Sequence, residues 1–484
     1  MNRQQKGAIA AGHKLTAEAG ADMLREGGSA VDAAIAALAV ACVCEPVLAS
    51  PGGGGFAMLR DGESGETILI DFFPQTPWAR RGNSTNGFRH IQADFGATTQ
   101  VFHIGPATVA APGFFAGLSA LRGKGAIFSF ADLYAPAIQI AEQGHNITAY
   151  QYYLSTVVRP ILTATKAARD LFAPGGELSQ AGDVFRNPEL AGMFREASHG
   201  DWVKTNIADQ LLSEQASDGH LIRDDLESYQ VVERQPVLVS INGSKVHLNP
   251  LPAASGTLIR YALAQLERCE ALDLAKALQE TDAARLSARS DLSVLLDRPM
   301  RQQGTTHIST IDANGNACAV TVSNGTGSGE MVSGYGFMLN NILGEEDVNP
   351  HGSFDWPVNT RLASMMCPTL IETPDGCLIA LGSGGSSRIR SAIFQSVARL
   401  CLESANLHHA IDAPRLHVED GHLDIETILP GQEMSQLAGA YPDHKIWSDK
   451  NMYFGGVHAV RADADCQFDG VGDQRREGVA IVVD

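Results

Sequence analysis

Arg301-Gln302-Gln303-Gly304-Thr305-Thr306-His307-Ile308-Ser309-Thr310-Ile311-Asp312 sets a small residue directly before a β-branched run. Thr306, Ile308 and Thr310 alternate with His307, Ser309 and Ile311, the period of a strand. Asp312-Ala313-Asn314-Gly315-Asn316 is a turn signal, and Ala317 to Val322 resumes the strand pattern. The stretch therefore predicts a β-hairpin headed by Thr305. The plain reading is a strand start and nothing more. The chemical reading is sharper: scission of the Gly304–Thr305 bond would free a threonine whose own α-amine can act as base for its hydroxyl. Cleavage there would leave a large piece, 1–304, and a small piece, 305–484.

Glycine-rich turns recur in a chain with 49 glycines in 484 residues. One, Gly382-Ser383-Gly384-Gly385-Ser386-Ser387, follows a strand pattern at Ala380-Leu381-Gly382 and precedes a helical pattern from Ser391 to Glu403. Small residues let backbone N–H groups approach a reacting oxygen, so Gly384, Gly385 and Ser386 are candidates for an oxyanion hole. The alternatives are an ordinary strand-to-helix turn and an amidase-type serine loop, and no upstream lysine motif supports the latter. Gly52 to Gly55 lacks the GK[ST] of a phosphate loop.

Elsewhere, Thr16 to Glu26 predicts a helix stopped at Gly27-Gly28. Ser29 with Asp32 forms a capping-box pattern before an apolar helix, Ala30 to about Cys44. Gly55 to Arg60 and Glu66 to Phe72 predict strands about a turn at Asp61-Gly62. From Phe130 to about Arg289 helical patterns dominate, and the region is read as a helical layer. Ala283 to Gln303 is read as the mobile tail of the first piece.

Several of these segments, in this order, resemble the gamma-glutamyltransferase (gamma-glutamyltranspeptidase, glutathione hydrolase) family of N-terminal nucleophile hydrolases. They are Gly27-Gly28-Ser29-Ala30-Val31-Asp32-Ala33-Ala34, Pro51-Gly52-Gly53-Gly54-Gly55-Phe56, Gly304-Thr305-Thr306-His307, Leu339-Asn340-Asn341, Arg361 to Thr369 and Gly382 to Ile389. The resemblance spans about Ala8 to Arg476. It implies an α+β fold, the four-layer αββα sandwich, with both cleavage pieces in one unit. It implies Thr305 as nucleophile and Gly385 and Ser386 as the two oxyanion donors. For the substrate it implies Asn324 at the head group, Glu345 where the family has an amine-binding aspartate, and Ser364 as the first of a serine pair, with Gly384 beside them. Met365 stands in place of the second serine. Phe73, in Asp71-Phe72-Phe73-Pro74, stands where the family has a carboxylate-binding arginine, and Arg80, Arg81 and Arg361 are candidate substitutes. The segment from Glu345 to Arg361 is short for the family's lid loop.

The activity so implied is hydrolysis or transfer of a γ-glutamyl group, from amides such as glutathione, through a γ-glutamyl-enzyme. Two alternatives stand beside it: an acylase acting on another amide, and an uncleaved, non-catalytic binding paralogue. No metal or organic cofactor is expected, because nucleophile and base share one residue. The pair His408-His409 lacks metal-site spacing, and the eight cysteines show no CxxC. A net charge of −19 without a long basic run argues against nucleic acid and anionic membranes as partners. The expected partners are a small-molecule amide and the two cleavage pieces, with homo-oligomer formation open. No apolar h-region follows Met1, which gives a cytoplasmic expectation.

Overall fold

The computed structural model describes residues 5–81, 87–94, 99–287, 304–345, 355–426 and 429–484. Two antiparallel sheets stack face to face. The first runs Val479–Val483, Gly7–Ala11, Gly304–Asp312, Ala317–Gly325, Gly54–Arg60, Thr67–Phe72, Val232–Arg234. The second runs Phe468–Val471, Gly456–Ala462, Leu378–Gly384, Thr369–Glu372, Ser244–Leu248, Val237–Ile241. Phe56, Met58 and Ala319 of the first sheet share one apolar cluster with Val246, Leu381 and Val460 of the second. That cluster continues to helices Ser255–Ala264 and Arg388–Leu402, which cover the second sheet. A second cluster joins the outer face of the first sheet to helices Lys14–Arg25, Ala30–Cys44 and Phe114–Arg122. The order helix, sheet, sheet, helix is the expected αββα sandwich, in which burying both faces of each sheet requires four layers.

Local chemistry explains the first helices. Ser29 and Asp32 exchange the reciprocal bonds of a capping box, and Gly27 takes φ 89° to end the preceding helix. All 15 residues of Ala30–Cys44 are buried, so its all-round apolar sequence is a core signature rather than a membrane one. No helix among the described residues is long and apolar enough to cross a membrane.

The structure corrects two expectations. The region from Phe130 to Arg289 is not all helical: Val232–Arg234 adds an edge to the first sheet, and Val237–Ile241 with Ser244–Leu248 forms one side of the second. The alternation in Val237-Leu238-Val239-Ser240-Ile241, closed by Asn242-Gly243, carried that signal. Ala283 to Ser287 is the last turn of helix Ala271–Ser287 rather than a tail, and there the Arg285 guanidinium is buried 3.0 Å from Asp282. The rest of that expected tail, 288–303, lies outside the described residues, as does most of the short lid segment, 346–354. All eight cysteines are free thiols, and His408 and His409 are exposed, with His408 beside Asp469 at 3.1 Å.

Candidate active site

Thr305 sits near the start of an interior strand, 2 % exposed. Register explains what surrounds it. Gly304 pairs with Gly325 but Thr305 pairs with Ser323, so Asn324 is an extra residue opposite the Gly304–Thr305 bond. Such bulges re-aim side chains where a strand meets a site. A Cβ on Gly304 would lie 2.3 Å from the Val47 carbonyl and 2.7 Å from that of Gly325, so close approach demands glycine. Ser323 Oγ donates to the Gly304 carbonyl oxygen and accepts from Gly325 N–H at 3.0 Å. A donor on that oxygen draws charge from the carbonyl carbon next to the Thr305 hydroxyl.

The second sheet closes over this bond. Gly384 ends strand Leu378–Gly384, and a Cβ there would lie 2.3 Å from the Thr305 carbonyl. Gly385 (φ 127°) and Ser386 (φ 58°) then turn the chain into helix Arg388–Leu402. Gly385 lines a cleft together with Gly304, Thr326 and Arg476. The turn therefore stands at the start of a helix, beside Thr305, where backbone N–H groups favour negative charge.

Asn324 and Glu345 gather beside the Gly304–Thr305 bond. The Asn324 carbonyl accepts from Asn341 N–H at 3.3 Å, and its Oδ1 has no partner among the described residues. A Cβ on Gly325 would meet Asn341 Oδ1 at 2.2 Å and Glu345 Oε1 at 2.4 Å, so the Glu345 carboxylate packs on the strand that carries Asn324. Ser364 is not a wall of the cleft. Its Oγ accepts from Met366 N–H at 3.1 Å and its carbonyl from Ala254 N–H at 2.9 Å. Met365 packs with Ala254 and Leu258, and its sulfur accepts from Ser255 Oγ at 3.2 Å.

Phe73 points into the layer between the sheets and stacks on Phe56 at 5.4 Å. Two of the three substitute cations are already engaged. Arg361 donates to the Phe73 carbonyl, Tyr229 Oη and the Gln230 carbonyl, and lies 3.5 Å from Asp71. Arg80 binds the Trp356 carbonyl and lies 3.2 Å from Asp355. Arg81 is exposed, and none of the three lines the cleft.

Three residues near the bond escaped the sequence reading. Ser323 was findable by counting across the hairpin from Thr305. Glu45 is fully buried behind the strand, taking hydrogen bonds from Thr16 Oγ1 and Thr306 Oγ1 at 2.8 Å each. Burial raises its carboxyl, opposed by those two hydroxyls and by Arg476. Arg476, from the turn before the last strand, had no sequence signal beyond charge. The nearby histidines are poor bases: burial pushes His307 well below its ordinary value, and His13, His145 and His458 down to about 4. A Thr305 freed by scission would carry a base of its own, an α-amine ordinarily near 8.

The family model for gamma-glutamyltranspeptidase matches residues 16–293 and 271–483. The chain belongs to that family. It is therefore an enzyme of the gamma-glutamyltranspeptidase and glutathione hydrolase type. It is similar to the glutathione hydrolase proenzyme of Bacillus subtilis (strain 168), 27% identical over 98% of this chain and 91% of the relative. It is as similar to the acylase ACY 1 proenzyme of Pseudomonas sp. (strain V22), 26% identical over 99% of this chain and 94% of the relative. Among solved structures, cephalosporin acylase from Bacillus halodurans shares the fold, with TM-score 0.82, 21% identity and coverage of 99% and 96%.

Proposed function

We propose that this chain is a proenzyme that cuts itself between Gly304 and Thr305 and then uses Thr305 to hydrolyse γ-glutamyl-type amides. In the first step the Thr305 hydroxyl attacks the Gly304 carbonyl, polarised by Ser323, and the peptide shifts to an ester. Water hydrolyses the ester, leaving a carboxylate on Gly304 and a free amine on Thr305. In turnover that amine takes the hydroxyl proton as oxygen attacks the substrate carbonyl. Gly385 and Ser386 N–H groups hold the oxyanion, the leaving amine takes the proton, and water releases the acid from the acyl-enzyme.

The observation that carries the γ-glutamyl reading is the bulge that sets Asn324, with Oδ1 unpartnered among the described residues, and the Glu345 carboxylate beside the reacting bond. A carboxylate and an amide oxygen suit an α-ammonium group. The glutathione hydrolase relatives support the same reading. An acylase reading is favoured by Phe73, whose ring is turned into the core, and by the acylase relative at 26% identity against 27%.

A pair of anilides separates them. γ-Glutamyl-p-nitroanilide should turn over at least tenfold more efficiently than glutaryl-p-nitroanilide, which lacks the amine, given about 1.5–3 kcal/mol for a charge-assisted bond. Equal efficiencies would favour the acylase reading. No turnover of either by the cleaved protein would defeat both.

A further inference from the structure

Among the described residues, one buried guanidinium in this cleft has no carboxylate within ion-pair distance. Arg476 is 6 % exposed. Its stem lies along Gly456, where a Cβ would come within 2.5 Å of Cδ. Its head stands over the glycine turn: Cβ atoms on Gly384 and Gly385 would lie 2.9 Å from Nη1 and 3.1 Å from Nη2. Its hydrogen bonds are long and go to neutral carbonyls, Nη1 to Thr305 O at 3.4 Å and Nη2 to Met452 O at 3.5 Å. Nε has no partner, and no carboxylate lies within 4.0 Å among the described residues.

Its neighbour shows what burial ordinarily requires. Arg475 meets Glu426 Oε1 at 2.8 Å and Asp473 Oδ1 at 3.3 Å, and Arg415 meets Asp473 at 2.6 Å. A buried charge without such a partner is costly unless a ligand supplies one. Most of the remaining wall of the cleft is apolar: Val47, Leu48, Leu154, Val157 and Val158. The closest carboxylate behind the nucleophile, Glu45, is already held by Thr16 and Thr306.

We infer that Arg476 is the cation that receives the carboxylate of the acyl donor, doing from the last turn of the chain what Phe73 cannot do from the layer between the sheets. A γ-glutamyl head group carries its ammonium and carboxylate on one carbon, so Arg476 would hold the carboxylate while Asn324 and Glu345 take the ammonium beside it. The ligand class is an amide whose acyl part carries a free carboxylate. This rests on the reading of Thr305 as nucleophile, so it is tested by binding as well as by turnover.

Cleaved wild type, Arg476→Gln and Arg476→Lys would be compared on γ-glutamyl-p-nitroanilide and on 4-aminobutyryl-p-nitroanilide, which keeps the amine and lacks the carboxylate. Arg476→Gln should raise KM for the first at least tenfold with kcat within about twofold, and leave the second unchanged. Arg476→Lys should recover part of the loss. A parallel change for both donors, or none, would overturn the assignment. So would a KM effect that appears only when a second carboxylate is added on the leaving group, as in γ-glutamyl-3-carboxy-4-nitroanilide. If Arg476→Gln does not self-cleave, calorimetry on the cleaved wild type decides without turnover. Glutamate should bind at least tenfold more tightly than 4-aminobutyrate, and equal affinities would contradict the inference whether or not the anilides react.

Discussion

Phe73 shows how a single residue can be read correctly for what it lacks and incompletely for what it does. Sequence alone shows that no guanidinium stands at that position. Only the fold shows that the ring is spent on Phe56 in the inter-sheet layer. Restoring an arginine there should therefore damage the core instead of the site. Phe73→Arg is expected to destabilise by about 3 kcal/mol or more, through lost ring burial and a charge without a partner. Thermal unfolding with parallel KM measurements checks this; an unchanged Tm with a lower KM for γ-glutamyl donors would reverse it. Ser323 invites the opposite experiment, because its hydroxyl donates to the Gly304 carbonyl and is not part of the strand's backbone ladder. Ser323→Ala should slow self-cleavage by about a hundredfold, in the range for removing one oxyanion donor. A gel time course matching the wild type would remove Ser323 from the chemistry.

At the scale of elements, the hairpin Gly304–Asp312 and Ala317–Gly325 was legible to within a few residues. Its strands alternate and its turn carries Asp312, Gly315 and Asn316. The capped helix Ala30–Cys44 was legible for a similar reason, since both ends are written in local chemistry. The strands between Val232 and Leu248 were missed because they sit inside a helical region and two of them pair with each other at a sheet edge. The bulge at Asn324 was not legible at all, because register depends on what the opposite strand carries. Close packing of the two sheets is likewise a property of pairs. Gly384 lies against the Thr305 backbone, where neither partner is a flexible side chain that could give way. Gly384→Ala should therefore fold with its two sheets forced apart at this point and fail to self-cleave; normal scission in that variant would show that the contact is dispensable.

The whole molecule carries a pH signature. Burial holds His13, His145 and His458 down to about 4, against an ordinary value near 6.5. Below 6.5 the unfolded chain binds protons that these three folded imidazoles refuse. Stability should be level above that point and fall toward pH 4, by up to about 1.4 kcal/mol per pH unit for each histidine. Asp473 adds a second stage. Its burial would raise the carboxyl, but Arg415, Arg475 and two backbone N–H groups hold it at about 2. Its contribution is present above the ordinary aspartate value and is lost as pH falls from about 4 toward 2. Unfolding temperatures recorded from pH 7.5 to 3 check this, and a Tm that stays level down to pH 4 would contradict the buried neutral histidines.

One bond underlies the entire functional reading, and its fate is directly measurable. Purified wild type and Thr305→Ala would be incubated, resolved by gel, and their fragments subjected to N-terminal sequencing. The account predicts that wild type yields pieces of 304 and 180 residues, the smaller beginning Thr305-Thr306-His307, while Thr305→Ala stays whole. A small fragment with any other first residue, equal cleavage of the alanine variant, or an active wild type that remains in one piece would contradict it.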